Sequence, residues 1–168
     1  ANLYFSRLAG HGQEGSSLGR ATLAEWHKDS LETLNIGRTL GKRVVVIACS
    51  TGVPLVLRAL AEKPEAIAAC IFISPNFGLA HRGSNLMLQL PWVRHWGPLI
   101  MGRTREFETR SEGHEKYWTT RYDVQAIYTM MEAVSAAAKL DLATFLVPLA
   151  TLFCPEDQVV SPEKIRMA

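Results

Sequence analysis

The feature that most constrains this chain is a serine at the junction between an apolar β-forming run and an apolar helical pattern. Residues 42–47 predict a buried parallel strand because both faces of the run are apolar, and residues 53–60 predict a helix. Ser50 stands between them, with the small residues Ala48 and Gly52 two positions to either side. Small neighbours let the backbone turn sharply, so that the serine oxygen projects above the sheet.

The residue after this serine, Thr51, supplies a backbone amide that can donate a hydrogen bond at the same corner. The backbone amide of Thr51 would lie at a helix N-terminus, where the helix dipole favours a developing oxyanion. The corner therefore predicts Ser50 as a nucleophile toward an acyl carbonyl and Thr51 as an oxyanion-hole donor. The alternative is an ordinary serine in a tight strand-to-helix turn.

The order of apolar segments predicts an α/β fold with a parallel sheet. Thr22 and Glu25 form a capping-box pattern that begins a helix, and Gly41 follows the last residue of its apolar face. A Gly/Ser-rich loop is expected over 13–20. Strands are predicted at 2–9, 42–48, 66–74 and 149–154. Their alternation with helices favours parallel strands joined by right-handed crossovers.

The connection between the third and fourth predicted strands is unusually long. It spans roughly 65 residues, far more than an ordinary connection. The segment carries several aromatic residues and an apolar helical face that includes Tyr128 and Met131. We therefore divide the chain into a first core part at 1–75, an insertion at 76–140 and a second core part at 141–168.

These motifs together resemble the α/β-hydrolase superfamily, especially its lid-bearing esterases and monoacylglycerol-type lipases. The elbow of that superfamily is usually Gly-x-Ser-x-Gly, and here Ala48 replaces the first glycine. Residues 7–12, Arg-Leu-Ala-Gly-His-Gly, resemble its Leu-Pro-Gly-His-Gly loop, and residues 155–162 resemble its acid loop. The three matches occur in family order. The resemblance implies a helical lid at 76–140 over the active site.

The resemblance also implies roles for individual residues. Asp157 corresponds to the acid that orients a catalytic histidine, and Glu156 is the alternative acid. The superfamily places that histidine after the acid, whereas all five histidines of this chain precede Asp157. The strand that carries the other part of the oxyanion hole would precede residue 1. We expect His11 to belong to a structural loop, and we expect the sequence to be a fragment of a longer protein.

The function implied is a serine hydrolase that cleaves a carboxylic ester, of a short-chain or mono-acyl lipid type, through an acyl-enzyme intermediate. Two alternatives remain open. The first is a catalytically silent hydrolase-like module that binds a ligand or partner, because the chain lacks the expected histidine. The second is another acyl-transfer activity of the same superfamily, such as a peptidase or a C–C hydrolase.

Composition favours no particular partner, and it disfavours nucleic acid and a membrane-spanning chain. The 168 residues suffice for one core, and a net charge of +2 with interleaved signs disfavours nucleic acid. No apolar run approaches the about 20 residues that span a bilayer, and no cofactor or metal motif is present. Three cysteines without metal spacing, Cys49, Cys70 and Cys154, favour buried thiols in a reducing, cytoplasmic setting. Unpaired strand edges would allow a homo-oligomer.

Overall fold

The computed structural model describes residues 1–88, 90–109 and 111–168, and Gln89 and Arg110 lie outside the described residues. Five strands and eight α-helices are assigned within these ranges. The strands are β1 (Val45–Cys49), β2 (Ala69–Ile73), β3 (Thr104–Glu106), β4 (Arg121–Asp123) and β5 (Leu149–Leu152). The helices are α1 (Gly15–Arg20), α2 (Leu23–Leu40), α3 (Gly52–Glu62), α4 (Arg82–Met87), α5 (Val93–Met101), α6 (Glu112–Tyr117), α7 (Gln125–Ala137) and α8 (Pro162–Met167).

The main sheet is parallel, as the alternation of strands and helices predicted. Its strand order is β1-β2-β5, so β2 is central and the other two strands are edges. Ile47 is level with Ile71 on β2, and Ile71 is level with Ala150 on β5. The α/β fold class is confirmed.

The two faces of this sheet have different neighbours. Ala48, Cys70 and Phe72 belong to the main hydrophobic cluster, together with Val53 and Leu57 of α3. The opposite face is largely uncovered in the described residues. Burial therefore follows the pleat of the sheet, because successive side chains of a strand point to opposite faces.

The prediction that the first apolar run is buried on both faces is therefore wrong. Val45 is 56% exposed and Ile47 is 61% exposed. Ala48, which follows Ile47 and points to the opposite face, is buried. Cys49 is also exposed, as is Cys154, so only Cys70 is the buried thiol that the sequence analysis expected of all three. Apolar residues on both faces of a strand do not by themselves supply the second covering layer.

The strand predicted at 2–9 is not formed. Residues 1–8 have no regular secondary structure, and Ser6 Oγ accepts a hydrogen bond from Thr33 Oγ1 of α2 at 2.7 Å. Ala9 N donates to Asp29 Oδ2 at 2.7 Å, and Trp26 Nε1 donates to Ala9 O at 2.9 Å. The segment has no strand beside it in the described residues, so its loose alternation of apolar residues is not enough to make it a strand.

The Gly/Ser-rich segment expected to be a loop contains α1. This helix packs against β4, and a Cβ atom at Gly15 or Gly19 would collide with Arg121 or Asp123. The glycines that suggested a loop instead permit close approach of two backbones. Tertiary packing has overridden a weak local propensity.

The helix after the capping box forms as predicted. Thr22 accepts a hydrogen bond from Glu25 N, the Glu25 carboxylate accepts one from Thr22 N, and Gly41 follows the last helical residue. At the other end of the chain, Ser161 caps α8 and Pro162 is its first residue. Both boundaries rest on local hydrogen bonds, which sequence patterns capture well.

The described residues of the segment at 76–140 form four α-helices, α4 to α7, and an antiparallel pair of short strands, β3 and β4. Its own apolar cluster comprises Leu88, Val93, Val124, Tyr128 and Met131. Helix α7 also packs on α1, α2 and α3, so it joins this cluster to the core. None of the helices in the described part of the chain combines the length and hydropathy needed to cross a membrane.

Candidate active site

Ser50 lies at a sharp corner between β1 and α3. Its φ is +49°, a left-handed conformation that is uncommon for residues other than glycine and costs of order 1–3 kcal/mol. Backbone hydrogen bonds hold the corner, because Ser50 N donates to Ile73 O at 3.0 Å and Ser50 O accepts from Val53 N at 3.1 Å. A Cβ at Gly52 would lie 3.8 Å from Ala48 Cβ, which is ordinary contact. Alanine at the first small position therefore fits the turn.

The amide expected to stabilise an oxyanion is available at this corner. Thr51 is the residue immediately before α3, which runs for eleven residues. Its N–H donates to no acceptor among the described residues. A free N–H at the positive end of a helix beside a serine hydroxyl is suited to bind a negatively charged oxygen.

Asn76 is a residue of the corner that sequence analysis missed. It is 1% exposed, its N–H donates to Ser50 O at 3.2 Å, and its Nδ2 donates to Thr51 Oγ1 at 3.3 Å. Its Oδ1 accepts from Gly78 N at 3.1 Å. Asn76 thus fastens the corner to the loop after β2. A polar residue just beyond the end of a predicted strand was the available signal.

Asp157 lies in a turn beyond β5, at the same carboxyl edge of the sheet as Ser50. Its Oδ1 accepts from Val159 N at 2.8 Å and from Val160 N at 3.1 Å. Its Oδ2 has no hydrogen-bond partner within the described ranges, which leaves one carboxylate oxygen free for a further donor. Glu156, the alternative acid, is exposed and lies 3.2 Å from Cys154 Sγ.

The loop that carries Asp157 is tied to the loop that carries Asn76. Leu79 and Val160 form an antiparallel bridge, Ala80 N donates to Val159 O at 3.0 Å, and Ser161 N donates to Gly78 O at 2.9 Å. The Ser50 corner and the acid loop are therefore connected through one continuous segment, 76–80.

The histidine rings contact other parts of the molecule. His11 packs on Trp26 with ring centroids 5.5 Å apart, His27 Nε2 lies 2.8 Å from Glu62 Oε2, and His81 Nδ1 accepts from Ser84 N. His95 lines a cavity of about 390 Å³ beside α5 and α7. Ser50 Oγ has no imidazole partner among the residues that the structure describes.

No group of three or more His, Cys, Asp or Glu side chains in the described residues is placed to hold a metal ion. The corner instead combines a strained serine with a free amide, and segment 76–80 ties it to the loop that carries Asp157. These are the groups from which nucleophilic acyl chemistry is built.

Known structures share this fold. A metagenome-derived lipolytic enzyme is 20% identical with a TM-score of 0.77 and is matched over 96% of this chain and 64% of its own. A soluble variant of monoglyceride lipase from Saccharomyces cerevisiae is 13% identical with a TM-score of 0.68, over 96% and 61%. A monoacylglycerol lipase of Paleococcus ferrophilus is 16% identical with a TM-score of 0.60, over 83% and 58%.

The present chain thus spans 58% to 64% of the length of these three structures. Among curated proteins, none matches it. The sequence profile described as serine aminopeptidase, S33, matches residues 3–168. With a profile match over nearly all of its length and a parallel sheet that turns into a helix at Ser50, the chain belongs to the serine aminopeptidase S33 family of α/β-hydrolases.

Proposed function

We propose that this chain carries the nucleophile of a serine hydrolase that cleaves carboxylic esters. The observation that carries the proposal is the left-handed Ser50 at the β1–α3 corner, next to the unpaired N–H of Thr51. Backbone strain of this kind persists only where the surrounding structure holds it, and it is concentrated at functional sites. Membership of a hydrolase family supports the same proposal.

In the proposed reaction, Ser50 Oγ attacks the acyl carbon of the ester and its proton passes to a general base. The alcohol leaves with that proton, and water then attacks the acyl-enzyme to release the acid and regenerate Ser50. The Thr51 N–H stabilises the negative oxygen of each tetrahedral intermediate. Removing one oxyanion-hole donor typically costs about a hundredfold or more in kcat.

Asp157 is proposed to orient the base. With Oδ1 fixed by two backbone N–H groups, the free Oδ2 can accept from an imidazole N–H and stabilise the imidazolium. In the α/β-hydrolases that this chain resembles, the base is a histidine imidazole that follows the acid in chain order. We propose the same order here, with the base after Asp157.

The proposed substrate is a short-chain or mono-acyl lipid ester. Support comes from the apolar insertion at 76–140, in which Leu86, Trp92, Leu99 and Ile100 are exposed. A lid with an apolar surface would receive an acyl chain. The lid role of this segment is part of the proposal.

Labelling with a fluorophosphonate probe, mapped by peptide mass spectrometry, tests the nucleophile. We expect the label on Ser50 and its loss in Ser50→Ala. Ser74→Ala is the matched control, because Ser74 directly follows β2 with φ +43° yet is not followed by a helix. Label that persists in Ser50→Ala would contradict the proposal.

A catalytically silent, ligand-binding module is the second candidate. It is favoured by the histidine contacts, because the rings of His11, His27 and His81 are engaged with other residues. In that case a folded chain takes no label at Ser50 although the corner is intact. The same experiment, accompanied by circular dichroism to show folding, therefore separates the two candidates.

A further inference from the structure

A cavity of about 390 Å³ lies within the insertion, between α5 and the turn from β4 into α7. Its volume is within the range of small-molecule sites. None of the residues that line it belongs to the Ser50 corner or to the acid loop. The proposed ester hydrolysis therefore uses no side chain of this cavity.

Three basic side chains line the cavity, and two of them have no partner. The exposed side chains of Arg103 and His95 make no hydrogen bond or ion pair within the described residues. Arg94 is engaged by α7, because its Nη2 lies 2.8 Å from Glu132 Oε1 and donates to Thr129 Oγ1 at 3.3 Å. Guanidinium and imidazole N–H groups donate hydrogen bonds, so two donor side chains remain for a ligand.

The carboxylate that lines the cavity, that of Asp123, is engaged elsewhere. Its Oδ1 accepts from Gln125 N at 2.9 Å, at the first residue of α7. Its Cβ and Cγ lie against α1, where a Cβ on Gly19 would clash with them. The partial positive charge of a helix N-terminus offsets a carboxylate in this position. Asp123 therefore leaves Arg103 without a counter-charge.

The charges around the cavity select the ligand. Glu132 balances the charge of Arg94, so Arg103 carries the positive charge that has no partner among the described residues. A cationic ligand would be repelled by both arginines, and a phosphate monoester would bring nearly two negative charges to one free cation. A carboxylate brings one negative charge, and its two oxygens match the planar fork of a guanidinium.

Apolar groups lie beside these donors. Pro98 and Leu99 of α5 line the same cavity, and the Leu99 side chain is 85% exposed. Contact with a ligand would remove this apolar surface from water. We infer that this cavity binds a small monocarboxylate with a short apolar tail, whose carboxylate pairs with Arg103 and accepts a second hydrogen bond from His95. The inference depends on no step of the proposed ester hydrolysis.

Isothermal titration calorimetry on the full chain tests the inference with hexanoate and hexan-1-ol, which share an apolar tail and differ in charge. We expect hexanoate to bind about tenfold more tightly, because charge-assisted hydrogen bonds are stronger than neutral ones. Arg103→Gln should abolish this preference and leave Tm unchanged, because the side chain is exposed and unpaired. His95→Phe should reduce the preference, and hexyl phosphate should bind no more tightly than hexanoate.

Arg105→Gln is the matched control, because it removes the same charge two residues away, from a side chain that does not line the cavity. It should keep the preference for hexanoate. Absent hexanoate binding, equal binding of hexanoate and hexan-1-ol, an unchanged preference in Arg103→Gln, an equal loss in Arg105→Gln, or tighter binding of hexyl phosphate would each overturn the inference. Preferential hexanoate binding by a chain that takes no fluorophosphonate label would support the inference and contradict only the proposed function.

Discussion

The two faces of the parallel sheet are built from similar apolar residues but have different surroundings. On one face, α3 covers Ala48, Cys70 and Phe72, and Phe72 is only 2% exposed. On the other face, Ile47 and its neighbours meet no helix in the described residues. Hydrophobic character alone therefore does not decide which residues form a core.

The difference shows what a covering helix contributes. The α3 residues Val53 and Leu57 belong to the same buried cluster as Phe72, so truncating a side chain there leaves a cavity. On the uncovered face, the same loss removes only surface contacts. Four experiments test this difference between the faces.

The largest expected effect comes from truncating one residue of each face on β2. Phe72→Ala should lower the free energy of unfolding by about 3–5 kcal/mol, because it leaves a cavity under α3. Ile73→Ala, its neighbour on the other face, should cost less than about 1 kcal/mol. Urea denaturation measures both changes. Equal costs would show that the second face is also covered in solution.

The alkylation rates of the cysteines test the same difference between exposed and buried positions of the sheet. Burial raises the pKa of Cys70 to about 11 from an ordinary 9.0, and partial desolvation raises the pKa of exposed Cys49. Because the thiolate is the reactive form, iodoacetamide at pH 8 should modify Cys49 well before Cys70. Peptide mass spectrometry measures the order, with exposed Cys154 as the internal reference.

The same burial gives a pH dependence with a definite sign. The raised pKa keeps Cys70 protonated in the folded state, while its unfolded thiol ionises near pH 9. The free energy of unfolding should therefore fall as pH rises from about 9 to about 11, by about 1.4 kcal/mol per pH unit. Cys70→Ala should remove this part of the slope. An identical slope in that variant would assign it to other groups.

The smallest expected effect concerns association through the free edge of β1. The exposed, apolar Val45 and Ile47 lie on an edge strand without a charge or proline between 45 and 49. We expect concentration-dependent self-association in sedimentation velocity, weakened about tenfold by Ile47→Lys, because an edge charge opposes strand pairing. Val159→Lys, on the exposed acid loop, is the control. A monomer at every concentration would contradict this prediction.

The elements that rest on local interactions follow from the residue pattern alone. The corner at Ser50, the capping box of Thr22 and Glu25 and the cap of α8 at Ser161 formed where their patterns placed them. Each depends on hydrogen bonds and dihedral angles within a few residues. The parallel order of the sheet also followed from the alternation of strands and helices.

What lies against each element depends instead on contacts between residues distant in the sequence. The segment at 2–9 lacks a strand partner, α1 forms because its glycines admit the β4 backbone, and Asn76 becomes part of the corner through contacts made 25 and 26 residues away. Ile47 is exposed because no second layer covers its face of the sheet, and its neighbours in sequence cannot supply that layer. A sequence pattern shows which face of a segment is apolar. Whether that face is buried depends on packing partners from distant parts of the chain.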